Sequence, residues 1–268
     1  MKKNLQLALA LMLGVATTVS AQDWSVDSRS RINMSGDNDR FETEQRVRMG
    51  ASFGGDDWSI NVSADANYDV GRNSSLRDEP NALSATIHEA YATANVFGYD
   101  LSVGRQALEF GNGSIIGAND FGKTAYTRDG ATVSMDFSGV DVTLMAGSRT
   151  NDQPEGTADY GSGSYMGANL MGSMSEFGYN FVYISQSSTL STAPEQTASA
   201  MGLDVSYSTM GANLMFSYNT VSNDSDNDMD YYAVGIEYPV SEALTVEGKL
   251  TQYGENGFAL TGTNMGAN

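Results

Sequence analysis

The chain has 268 residues, 40% of them hydrophobic and 18% charged, with 29 glycines, 14 tyrosines, no cysteine and a net charge of −19. So acidic a chain lacks the basic face that phosphate binding needs, which excludes a nucleic-acid partner. The absence of cysteine rules out disulfide staples, so the fold has to be held by backbone pairing and burial.

The first element is an export signal. Lys2 and Lys3 precede an apolar run from Leu5 to Val15, and the small residues Val19-Ser20-Ala21 follow. This is the charged head, apolar core and cleavage site of a secretory signal peptide spanning residues 1–21, too short to cross a bilayer as a helix. Residues 22–268 are expected to form the mature protein; with two of the 14 basic residues gone, 12 face 33 acidic ones.

From there on the apolar residues come singly, at every second position. Successive side chains of a strand point to opposite faces, so a wall between lipid and water alternates apolar and polar. The first run sets Trp24, Val26, Ile32 and Met34 against Asp27, Arg29, Arg31 and Asn33. In the second, Val47, Met49, Ala51 and Phe53 alternate with Glu44, Arg46 and Arg48. The third is the most regular, with Trp58, Ile60, Val62, Ala64 and Ala66 opposed to Ser59, Asn61, Ser63, Asp65 and Asn67. Weaker runs cover 85–97 and 99–107. Val133–Phe137, Val140–Ala146, a weaker run at 164–174, Phe177–Tyr183, Met201–Tyr207, Leu214–Tyr218, Tyr232–Tyr238 and Leu244–Leu250 follow. A last segment, 258–268, alternates poorly. The expected fold is all-β: a transmembrane antiparallel up-and-down barrel of about 14 strands, the final one closing the wall against loss of edge hydrogen bonds in lipid.

The connections support a barrel over a soluble sandwich. Short links at Gly54–Asp57, Gly98, Ser138-Gly139, Ser175-Glu176, Ser208-Thr209 and Pro239–Ala243 alternate with long polar stretches at 71–84, 108–128, 149–163, 187–197 and 220–228. Short periplasmic turns opposed to long outer loops are the asymmetry of outer-membrane barrels. Trp24, Trp58 and Tyr99 begin strands expected to rise from the periplasm, and Phe53, Phe137 and Tyr238 end strands expected to descend to it, which places them in one interfacial aromatic belt. Outer-membrane lipid and lipopolysaccharide are therefore expected to surround the wall, and the cell outer membrane is the expected location.

On the polar phase, Arg29, Arg31, Arg46, Arg48 and Arg149 mix with Asp27, Glu42, Glu44, Asp65, Asp136 and Asp141. Opposed rows of guanidinium and carboxylate set up a transverse field that favours polar over apolar solutes; the same charges can equally pair across neighbouring strands.

One stretch carries a more specific signal. Residues 101–135 (LSVGRQALEFGNGSIIGANDFGKTAYTRDGATVSM) contain Gly104-Arg105-Gln106 at a strand end, Gly111, Ile116-Gly117, Asp120-Phe121, and Arg128-Asp129 before a return strand. This pattern resembles the alginate-export family of outer-membrane channels, with Phe121 where that family carries tryptophan and with Ser114 and Ile115 in place of its basic residue. The resemblance implies a channel in which Arg105 and Arg128, with Asp129, line the pore and meet an anionic saccharide. Strict alternation from Leu101 and Val103 aims Arg105 at lipid; a bulge at Gly104 would turn it inward.

No motif indicates an enzyme. His88 is the single histidine, no serine sits in a Gly-x-Ser-x-Gly setting, and Gly111-Asn112-Gly113 lacks the Gly-Lys-Ser/Thr of a phosphate cradle. No metal cluster and no cofactor is expected: the acidic run Asn223–Asp230 lacks the sixth-position glycine and distal glutamate of a calcium loop, and is expected to be a solvated outer loop. The expected function is passive diffusion or export of polar or anionic solutes. The alternative is a structural or surface-binding barrel with acidic outer loops and a plugged lumen. The sequence leaves the oligomeric state open.

Overall fold

The computed structural model describes residues 22–34, 41–70, 83–120, 125–150, 162–189, 195–224 and 228–256. The expected signal peptide and the segment 258–268 lie outside them. The described residues form thirteen strands and no helix. The first seven are β1 (Gln22–Met34), β2 (Phe41–Gly54), β3 (Trp58–Val70), β4 (Leu83–Val96), β5 (Tyr99–Gln106), β6 (Arg128–Asp136) and β7 (Val140–Thr150). The other six are β8 (Ser162–Met174), β9 (Phe177–Thr189), β10 (Gln196–Thr209), β11 (Ala212–Asn223), β12 (Met229–Ser241) and β13 (Leu244–Tyr253). Each pairs antiparallel with the next in one sheet ordered β1 to β13, an up-and-down meander whose edges, among the described residues, are β1 and β13. The three weak runs of the sequence are β4, β5 and β8.

The short links are tight turns. At Phe97-Gly98, Ser138-Gly139 and Met210-Gly211 both central residues have positive φ, the backbone twist that matches a hairpin's own twist. Along the strands the alternation holds. Val26, Ile32, Met49, Ile60, Val103, Leu144, Met166, Phe216, Val234, Ile236 and Val246 are exposed on one phase. The belt residues Trp24, Trp58, Tyr99, Phe137 and Tyr238 are exposed as well, whereas Phe53 is buried.

The opposite face is concave. The connection between β5 and β6 touches β2 through Asp120 and β10 through Asn112. In a flat sheet these strands, eight apart, would lie about 38 Å from each other. Eight residues reach about 28 Å only when fully extended, and residues 111–115 run through turns and bends; the sheet curls around the connection. That face is the lumen.

Candidate functional site

The lumen's contents are set by the loop from Ala107 to Thr127, described except for 121–124, which includes Phe121. Its backbone bonds to itself: Phe110 N donates to Ile116 O (2.9 Å), Gly113 N to Phe110 O (3.0 Å) and Tyr126 N to Ala118 O (2.7 Å). A loop that satisfies part of its own backbone in this way can enter a pore at less cost than an extended one.

One end of the loop is apolar. Ile115 and Ile116, the latter 0% exposed, pack on Met145 of β7, Tyr165 of β8, Val182 and Ile184 of β9, Ala200 of β10 and Val221 of β11. Gly202 makes the room: a Cβ there would lie 3.1 Å from Ile115 Cγ1. Burying the two isoleucines stabilises the docked loop by roughly 1.5–3 kcal/mol each. Polar contacts flank this seat. Asn112 N donates to Asp204 Oδ2 (2.9 Å), Asn112 Nδ2 reaches Ser217 Oγ (3.0 Å) and Tyr231 Oη (3.1 Å), and Ser114 Oγ bonds Tyr231 Oη.

The other end is ionic. Asp120 meets three arginines of the β1–β2 wall: Arg48 Nη1 at 2.8 Å, Arg46 Nη2 at 3.1 Å and Arg29 Nη2 at 3.2 Å from its carboxylate. Arg46 Nη1 also donates to the Asp120 carbonyl (2.9 Å), as does Arg29 Nη1. The register explains the cluster. Arg29 and Arg46 stand directly opposite each other, as do Asp27, Arg48 and Asp65 in turn. Two like charges opposed across strands repel, and the Asp120 carboxylate bridges them. Arg48 is oriented from behind by Asp65, with Nε at 2.7 Å and Nη2 at 3.0 Å, and Arg46 lies 3.4 Å from Asp27. Burial pushes the Asp120 carboxyl up, but Arg48, Arg46 and Arg29 outweigh this and hold it below the ordinary carboxylate value.

His88 joins this wall through a register shift. β3 and β4 slip between Ser63 and Ala64, so His88 is the extra residue between the partners Ile87 and Glu89. It is buried, with Nδ1 3.9 Å from Asp65 Oδ2. Neighbouring Glu89 accepts from Ala107 N (3.0 Å), where the loop leaves β5. The bulge depends on how β3 pairs, so the sequence of β4 carries no sign of it.

The arginines singled out from the sequence thus separate into groups. Arg29, Arg46 and Arg48 converge in the lumen. Arg31 is half-buried on the same phase, opposite Glu44. Arg149 stands opposite Gly163 at the end of β7, and its side chain lies outside the described set. Arg128 faces inward but is 0% exposed, with Nη1 3.3 Å from Leu108 O and 3.4 Å from Gly117 O. It braces the two legs of the loop and is too buried to present a surface to solute.

Arg105 and Asp129 depart from the expectation of a pore-lining pair. No register shift interrupts β4–β5 or β5–β6 at Gly104. Arg105 therefore keeps the outward phase of Val103, which is 53% exposed. It pairs there with Asp129, with Nε and Nη2 each 2.7 Å from a carboxylate oxygen. Gly104 serves close approach instead of a bulge: its φ is +131°, and a Cβ would sit 2.8 Å from Tyr91 Cα and collide with the Ala90 carbonyl. Removing both charges together (Arg105→Ala with Asp129→Ala) is expected to leave ion selectivity unchanged in bilayer recordings.

Comparison of the chain with protein-family models and with curated proteins finds no match, so the alginate-export resemblance rests on residues 101–135 alone. Solved structures do match. Salmonella typhi OmpF, in complex with daunomycin, aligns at a TM-score of 0.57 and 12% identity over 89% of this chain and 82% of that one. OccAB4 of Acinetobacter baumannii aligns at 0.52 and 10% identity, over 90% and 85%. The fold is that of an outer-membrane β-barrel. At these identities the likeness is one of architecture.

Proposed function

We propose that the chain is a porin-like diffusion channel of the outer membrane, passing polar solutes with a preference for anions. The observation that carries this reading is the arginine cluster of Arg29, Arg46 and Arg48, which faces the lumen and holds the loop carboxylate of Asp120 besides the wall carboxylates of Asp27 and Asp65. Guanidinium forks suit carboxylates, and a solute bearing one can take the place of Asp120 when the loop end moves. An anionic saccharide is the sharper form of the reading, supported by the alginate-export resemblance.

The test is planar-bilayer recording of refolded protein in a salt gradient. Step conductances with anion preference are expected. The variant Arg46→Ala with Arg48→Ala should lose that preference several-fold, since a unit charge acting across about 4 Å of water is worth ~1 kcal/mol. Unchanged selectivity in this variant would remove the arginines from the reading.

A second reading is favoured by the same loop. It is tied to opposite walls of the lumen, by Ile115 and Ile116 on one side and Asp120 on the other, which also describes a plug. Under that reading the barrel is structural or surface-binding. Liposome swelling in small neutral sugars separates the two, because a plugged barrel does not swell.

A further inference from the structure

We propose that the glycine turn of the inward loop and the inner face of β9–β11 form a binding site for a hard cation of the calcium type, with Asp204 and Asn180 as its side-chain ligands. The register sets Asp204 directly opposite Asn180 on one side and Ser217 on the other. Gly111, in the left-handed region at φ +58°, brings the loop backbone down onto them. A Cβ on Gly111 would lie 2.6 Å from Asn180 Oδ1 and would meet Asp204 Oδ2 as well, so the backbone of the turn closes directly over both side chains.

Both are acceptors, and they are short of donors. Asn112 N takes Asp204 Oδ2, while Asp204 Oδ1 and Asn180 Oδ1 are buried without a partner. Asn180 is 6% exposed and its amide nitrogen is committed to Asn169 Oδ1 at 2.8 Å, which leaves the oxygen end turned toward Asp204. Among the described residues Asp204 makes no ion pair. A buried acceptor left unsatisfied is destabilising. A cation answers the unpaired oxygens and the carboxylate charge together, and carboxylate and carboxamide oxygens are the ligands hard cations take. With one carboxylate and water completing the shell, affinity belongs in the weak range, about 10⁻⁴–10⁻³ M. This inference does not depend on the channel reading; its structural consequence is to fasten the turn at Gly111 to the wall.

The probe is terbium, an oxygen-seeking ion whose emission is sensitised by nearby tyrosine, titrated into the refolded full chain in detergent and displaced with calcium. Tyr231 is placed for this, its Oη 3.1 Å from Asn112 Nδ2. Acidic surface segments also take up lanthanides, so the reading is the difference between wild type and Asp204→Asn, which preserves shape and the bond to Asn112. A calcium-displaceable component in wild type, weakened at least tenfold in Asp204→Asn, is expected. Asn180→Asp adds a charged ligand and should tighten the same component several-fold; it carries the test alone if Asp204→Asn does not refold. Identical titrations for wild type and Asp204→Asn, or no gain in Asn180→Asp, would overturn the proposal and leave a water-bridged cluster.

Discussion

Asp120→Asn is expected to raise the anion-to-cation permeability ratio by about three- to tenfold. The carboxylate lies within 3.2 Å of three guanidiniums, and each uncompensated charge acting over such distances is worth ~1 kcal/mol or more in a partly shielded lumen. Asparagine keeps an oxygen that can accept hydrogen bonds, so the loop end is not expelled, but only Asp27 and Asp65 then remain to offset the three arginines. The reversal potential in a potassium chloride gradient measures the change. Acid should reproduce it in the wild type. The folded carboxyl titrates below its ordinary value of 3.8, so the clasp's contribution is complete above that pH and is lost as pH falls through the lowered folded value. Selectivity should therefore be flat from neutrality to about pH 4 and rise below it. Whatever other groups contribute in acid is common to wild type and Asp120→Asn, so the difference between the two proteins isolates Asp120. No difference would show that the arginines are not set by this residue.

The second large effect concerns the apolar seat. Replacing Ile115 and Ile116 together by alanine should cost the docked loop roughly 2–5 kcal/mol per site, which exceeds what the neighbouring hydrogen bonds supply at ~1 kcal/mol each. The loop should then leave the β7–β11 wall, and single-channel conductance should rise and become noisy. The strands are untouched, because their ladder hydrogen bonds involve neither residue, so the folded barrel should keep its unheated gel mobility. Protease accessibility of the loop gives an independent measure. A variant with wild-type conductance and an uncleaved loop would show that the isoleucines do not hold it.

The expected resistance of Arg105 and Asp129 to such treatment illustrates how far local pattern reaches. Alternation from Leu101 and Val103 already aimed Arg105 outward, and the unbroken ladder at Gly104 keeps it there; the family resemblance suggested the lumen. Period two is a property of a few consecutive residues, so it is legible without knowledge of any partner. The inward apolar residues Met145, Val182, Ile184 and Val221 are the opposite case. On a polar lumen face they look like breaks in the pattern, and only the docking of Ile115 and Ile116 accounts for them.

Sequence by itself therefore determined the all-β wall, its outward face, the alternation of short and long connections, and which arginines share the polar phase. These are local: side-chain direction follows backbone geometry residue by residue. Only tertiary structure decided that Arg29, Arg46 and Arg48 meet at Asp120, that Arg128 is a buried brace, and that His88 enters through a bulge. Each of those depends on register between strands or on a loop crossing the lumen from residues 72 to 91 positions away. Distances of that kind are fixed by how the sheet curls, which no window of the chain contains.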